Sequence, residues 1–293
     1  MRRGWLLMLA LLVAPGALVA GAQSTGSASG LAEILIRVGR SVERYYARAQ
    51  SIICVETVSL RTLGYDLMSD STPARRLLFE LRVAWEPSED GAAPAARVQR
   101  QLIEVNSRPP RPKDKQGCTD PTPVSPDTLE MLLPAKQVDY TFKLAGNGRI
   151  GGRTAVMLDF RARQAGPIAA RAHEDREDCY HVDMPGRTRG RVWIDAETDD
   201  ILRIDEHLIG AVDVRVPQKM TRSRLALDVT FERLDSSTIY RPVSFTDPEE
   251  TIMLPASADS LAVIRNSGVP RQRTTQRFSN YRRFTTGGRV IDQ

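Results

Sequence analysis

Apolar residues recur at helical spacing in one long stretch of the chain. Leu31, Ile34, Leu35, Val38, Val42, Tyr45 and Tyr46 fall three and four residues apart, with Glu33, Arg37, Arg40, Glu43, Arg44 and Arg48 on the opposite side. This period predicts an amphipathic helix of about five turns starting at Leu31. The mixed charge of its wet face favours packing on a sheet over lying on a membrane. From residue 52 the period changes to two. Phe79, Leu81, Val83 and Trp85 alternate with Glu80, Arg82 and Ala84. Leu225, Leu227, Val229 and Phe231 alternate with Arg224, Asp228, Thr230 and Glu232. Such alternation predicts antiparallel strands with one face buried and one wet. Further strands are expected at 52–60, 97–105, 137–145, 153–162, 190–195, 200–208, 239–245, 250–254 and 274–285.

Turn chemistry orders these strands. The polar run Asp195–Asp200 joins Arg191-Val192-Trp193-Ile194 to Ile201-Leu202-Arg203-Ile204 as a hairpin, and Asn147-Gly148 predicts another turn. Pro109, Pro110, Pro112, Pro121 and Pro123 make 106–125 a long, stiff loop. Ser125 and Pro126 read as the cap and first turn of a short helix through Leu132, which Pro134 ends. A second long loop, rich in charge, is expected at 164–189. The Ser/Gly-rich residues 23–30 are expected to be a disordered linker and 287–293 a tail, leaving 31–286 as a single domain.

The first 22 residues have a different character. Arg2 and Arg3 precede the apolar run Trp5–Val13, and Ala20-Gly21-Ala22 offers small residues before Gln23. This pattern predicts a cleaved secretory signal peptide over 1–22, and hence a periplasmic or secreted protein. No cysteine sits at the cleavage point, and no later segment is apolar enough to span a membrane. The chain has 41 basic and 36 acidic residues, a net charge of +5. So small a surplus on an exported protein argues against nucleic acid as a partner and allows weak attraction to anionic membrane surfaces.

Three cysteines, Cys54, Cys118 and Cys179, leave at least one without a partner in the chain. Cys118 and Cys179 lie in polar loops and Cys54 in the apolar run Ile52–Val55, so a Cys118–Cys179 disulfide is expected. It would close a loop of roughly 60 residues and contribute about 4 kcal/mol if unstrained. Candidate chemistry is otherwise thin. His173, Cys179 and His181 sit among four carboxylates, the right donors for a transition metal. Their spacing matches no zinc pattern, and a solvated acidic loop explains them as well. There is no nucleophile elbow and no phosphate loop. No cofactor is expected.

Architecture is the remaining route to a site. A long helix followed by an alternating sheet suggests a curved sheet wrapped around the helix: a mainly β (α+β), incomplete barrel. Phe79, Leu81, Val83, Trp85, Leu225, Leu227, Val229 and Phe231 are expected on its apolar concave face, either as ordinary core or bordering an open pocket. Three segments carry a resemblance: Gly151-Gly152 through Phe160, the hairpin Gly190–Asp195 with Ile201–Ile204, and Phe278-Ser279-Asn280-Tyr281-Arg282-Arg283-Phe284. Together they resemble the superfamily of periplasmic lipoprotein carriers and sigma-factor regulators of the LolA, LolB and RseB type, over roughly half the mature chain. The resemblance implies a half-barrel with helices in its opening and a non-catalytic role, binding a lipid acyl chain or a lipidated protein. The loops 106–125 and 164–189 would be insertions. Two other readings stay open: a structural or interaction module that meets other envelope proteins through a fully packed domain, and a metal-dependent enzyme using 173–181.

Overall fold

Period-two alternation buries a core only if paired strands share one face, and the computed structural model of the chain has this arrangement. It describes residues 25–49, 51–86, 95–112, 114, 126–172, 179–217, 227–268 and 271–283, so the expected signal peptide and tail lie outside the described residues. The strands are β1 (Ile52–Leu63), β2 (Arg75–Glu86), β3 (Ala95–Val105), β4 (Tyr140–Ile150), β5 (Arg153–Ala162), β6 (Ala169–Ala172), β7 (Tyr180–Asp183), β8 (Thr188–Asp195), β9 (Ile201–Leu208), β10 (Val212–Val216), β11 (Leu227–Thr246), β12 (Glu249–Arg265) and β13 (Arg271–Arg283). Eleven of them form one curved antiparallel sheet in the order β3-β2-β1-β13-β12-β11-β9-β8-β5-β4, with β10 added on β11. The sheet is not closed into a barrel; β3 and β4 are the ends of this path. The C-terminal strand β13 is interior, between β1 and β12.

Strand register runs one buried inner-face row from β2 to β5. Leu77, Val58, Gln276, Ala258, Thr238, Ile204, Val192 and Leu158 are successive cross-strand partners. Each is at most 8% exposed. The N-terminal helix α1 (Thr25–Arg48) covers the β5-β8-β9 end of this face, where Val38, Val42 and Tyr46 share a core with Leu158, Val192 and Ile204. A 3-10 helix, Pro126–Leu132, and a short helix α2, Pro134–Gln137, close over it. Gly39 admits them, because a Cβ there would lie 3.1 Å from Pro134 and 3.2 Å from the Leu132 carbonyl. Gln137 Nε2 donates to the carbonyls of Leu35 and Leu132.

Several sequence expectations need correction. The helix begins at Thr25, within the linker expected to be disordered, because extending an anchored helix costs far less than nucleating one. Asn147-Gly148 is not a turn. Both lie inside β4, beyond a register shift at Leu144/Gly146, and the hairpin turns at Gly151 and Gly152, both at positive φ. The short helix ends at Leu132 as expected, as a 3-10 helix, but Pro134 also opens α2, where it lacks the N–H that a first turn leaves unpaired. The loop 164–189 contains the β6–β7 hairpin, which packs Ala170, Tyr180 and Val182 on the β10–β11 core. Polar β12 runs on to Arg265, well beyond the expected 250–254.

Gly190 fixes how closely β8 approaches its neighbours. A Cβ there would sit 2.0 Å from the Asp205 carbonyl oxygen and 2.5 Å from the Phe160 ring. Gly190→Ala is therefore expected to destabilise the domain by about 2–3 kcal/mol, lowering Tm by roughly 5–10 °C in calorimetry. An unchanged Tm would show that the strands yield freely there.

Candidate functional site

The last turn of α1 ends over β1, β2, β12 and β13. Tyr45 and Ala49 from the helix side face Ile52 and Cys54 of β1 and Leu81 and Val83 of β2. Leu254, Pro255, Phe278 and Tyr281 complete the wall of an apolar cavity of about 40 Å³. Its floor follows from register: Ile52 lies opposite Val83 and Cys54 opposite Leu81, all on the inner face. Two of the sequence-predicted residues, Leu81 and Val83, thus line it.

The few polar atoms in this wall are held neutral. Burial pushes the Cys54 thiol up to about 12; the Glu56 carboxylate adds to the shift and a hydrogen bond with Tyr281 opposes it. A thiol so raised is protonated at neutral pH and a poor nucleophile. Burial also raises Tyr45 and Tyr281 well above the usual phenol range. The Tyr281 hydroxyl donates to the Pro255 carbonyl. The site can therefore sequester apolar surface, and its thiol stays protonated at neutral pH.

The inner face does not stay apolar towards its far side. Glu56 is fully buried on β1, and Arg100 of β3 grips it with two hydrogen bonds of 2.7 Å. Gln276 Nε2 of β13 donates to the same carboxylate at 2.7 Å. The Arg100 guanidinium lies 3.8 Å above the Phe79 ring. Gln272 and Thr274 continue this polar strip along β13, both buried. On β9, burial raises the Glu206 carboxyl, against a hydrogen bond with Ser236.

The other predicted residues are dispersed. Phe79 packs with Val58, Leu60, Leu77 and Val105. Val229 and Phe231 belong to a separate core with Val212, Val214 and Val216. Leu225 and the side chains of Trp85 and Leu227 lie outside the described residues, as do Cys118 and His173. Cys54 is free and Cys179 is disulfide-bonded. That bond removes the thiolate from the His173, Cys179, His181 set, and His181 instead lies 3.0 Å from Asp183. Among the described residues no group of three potential ligands gathers as a metal site. A larger, open groove of about 490 Å³ lies between α2 and the end of β5, but its walls mix Glu130, Lys136, Asp139 and Arg163, and no predicted residue lines it. Among the described residues no helix is long and apolar enough to cross a membrane.

No protein-family model matches the chain, and no curated protein is significantly similar to it. Distant structural similarities do exist. A domain from Vibrio parahaemolyticus assigned to outer-membrane lipoprotein sorting is 10% identical, with 85% of this chain and 92% of that chain covered and a TM-score of 0.39. A LolA superfamily protein from Nitrosomonas europaea is 11% identical over 87% of this chain and 96% of that chain, with a TM-score of 0.32. The Pseudomonas aeruginosa MucA/MucB complex gives 8% identity, 85% and 99% coverage, and a TM-score of 0.23. At these values no activity or site residue is carried over.

Arg100→Ala would leave the Glu56 carboxylate buried without its cation, an expected loss of about 3–5 kcal/mol in denaturant unfolding. Glu56→Leu combined with Arg100→Met is expected to recover most of it. Stability should also fall as pH rises from about 9 towards 12, because the unfolded chain releases the Cys54 proton while the folded chain retains it. Cys54→Ala should flatten that slope in Tm measured against pH.

Proposed function

We propose that this chain is a periplasmic or secreted, non-catalytic binding protein of the cell envelope, holding a lipid acyl chain or a lipidated protein against the apolar inner face beneath the end of α1. The carrying observation is the cavity itself, lined mostly by apolar side chains and roofed by one helical turn. Each methylene moved there from water contributes about 0.8 kcal/mol before association costs. At about 40 Å³ it is much smaller than the roughly 300–1,000 Å³ of an occupied ligand site. Ligand entry therefore requires the turn bearing Tyr45 and Ala49 to lift. The same small volume favours a second reading, a packed interaction module whose loops and β6–β7 hairpin make the contacts with other envelope proteins.

The Cys118–Cys179 disulfide belongs to this proposal. The chain has three cysteines, Cys54 is free and Cys179 is bonded, which supports Cys118 as the partner. Non-reducing peptide mapping is expected to recover that pair as one fragment.

Native mass spectrometry of the mature protein, before and after incubation with lipid extract, tests the main reading. Bound lipid is expected, and Val83→Trp, which fills the cavity, should reduce it at least tenfold. A clean apo mass in both samples would establish the packed module instead.

A further inference from the structure

We infer that the outer face of β2-β1-β13 docks the protein on an anionic phospholipid surface. This inference is independent of what the inner face holds. Strand register sets four arginines together there. Arg61 is the direct cross-strand partner of Arg273, while Arg277 lies opposite Thr57 and Arg76 opposite Ser59. All four are exposed. They span roughly 10 Å across the strands and 13 Å along them.

These cations are not consumed by neighbours. Glu80, Glu104 and Asp259 share the face, but none is ion-paired with any of the four among the described residues. Glu80 is held by Arg82 and Arg282, and Asp259 accepts a hydrogen bond from Thr275. The only side-chain hydrogen bond described for the four is Arg61 to Ser69, at 3.3 Å. Four guanidinium groups on one sheet face, without carboxylate partners, form a site for phosphate groups.

The β1–β2 connection decides which kind of phosphate. Leu67 packs on Leu63, Leu261 and Val263, which folds the connection back onto this same face. That leaves Tyr65 91% exposed and Met68 68% exposed beside the arginines. The Arg271 guanidinium lies 4.1 Å from the Tyr65 ring centroid and ties it to the patch. Asp66 and Asp70 turn to cap the backbone N–H groups of Met68 and Thr72. An exposed ring and thioether beside a cationic patch complement a bilayer, in which acyl chains lie directly beneath phosphates. A soluble polyanion offers them nothing apolar.

Sedimentation of the full mature chain with vesicles tests this. Partition into phosphatidylglycerol-containing vesicles is expected to exceed that into pure phosphatidylcholine at least tenfold, and to be lost as salt screens the charges. Arg273→Gln with Arg277→Gln should weaken binding roughly 25-fold, about fivefold for each arginine, and lower the salt dependence. Tyr65→Ser should weaken it several-fold with the salt dependence unchanged. Circular dichroism checks that these surface variants fold, and the salt response of the unaltered protein stands without them. Equal binding to neutral vesicles, an unaffected double variant, or retention on an anionic polysaccharide without vesicle binding would each overturn the inference.

Discussion

The whole sheet hangs on one seam, where β1 pairs with β13. The strands on either side of it are mostly local hairpins that form at little entropic cost, but this pairing joins strands some 220 residues apart. At its centre sits Glu56, held by Gln276, 220 residues away, and by Arg100 from β3. A buried carboxylate is tolerable only with its partners in place. These come from both sides of the seam, so the ion pair rewards one register: a slip of one residue would turn Glu56 to the outer face and break the set. At the end of the seam Arg283 pairs with Glu250 and donates to the Arg48 carbonyl, so the same pairing also anchors the end of α1 over the cavity.

The inner face is consequently divided. Its α1 end is apolar and holds the cleft, whereas the strip from Glu56 through Gln276 to Gln272 is polar, buried and fixed. Apolar surface is complementary to the first region and not to the second. The outer face is divided by charge instead: Arg191 and Arg203 over β8 and β9 are paired to carboxylates, whereas Arg61, Arg273 and Arg277 over β1 and β13 have no carboxylate partner among the described residues.

Sequence patterning revealed the parts of this fold in which hydrophobicity follows structure. The helix face from Val38 to Tyr46, strand β5 and the β8–β9 hairpin were all legible, and so was the inward phase of Leu81 and Val83. Alternation reports a face but not which strands become neighbours, so it cannot separate the Val229 and Phe231 core from that of Phe79. The far half of β12 and the β6–β7 hairpin were hidden because Ser, Ala and Arg occupy their inward or paired positions. The Glu56 site had left a trace: a carboxylate at a buried phase in Ile52-Cys54-Glu56-Val58-Leu60. Its arginine partner lies on another strand, beyond the reach of local periodicity.

The interior position of β13 has a consequence in time. Synthesis runs from the N-terminus, so β1 emerges some 220 residues before its partner. Until then β1 and β12 both present unpaired edges, and no N-terminal fragment contains a finished sheet. High contact order of this kind slows folding and exposes the intermediate to misassembly. A truncation before Arg271 would therefore remove an internal stave of the half-barrel, a far more damaging loss than trimming a border strand.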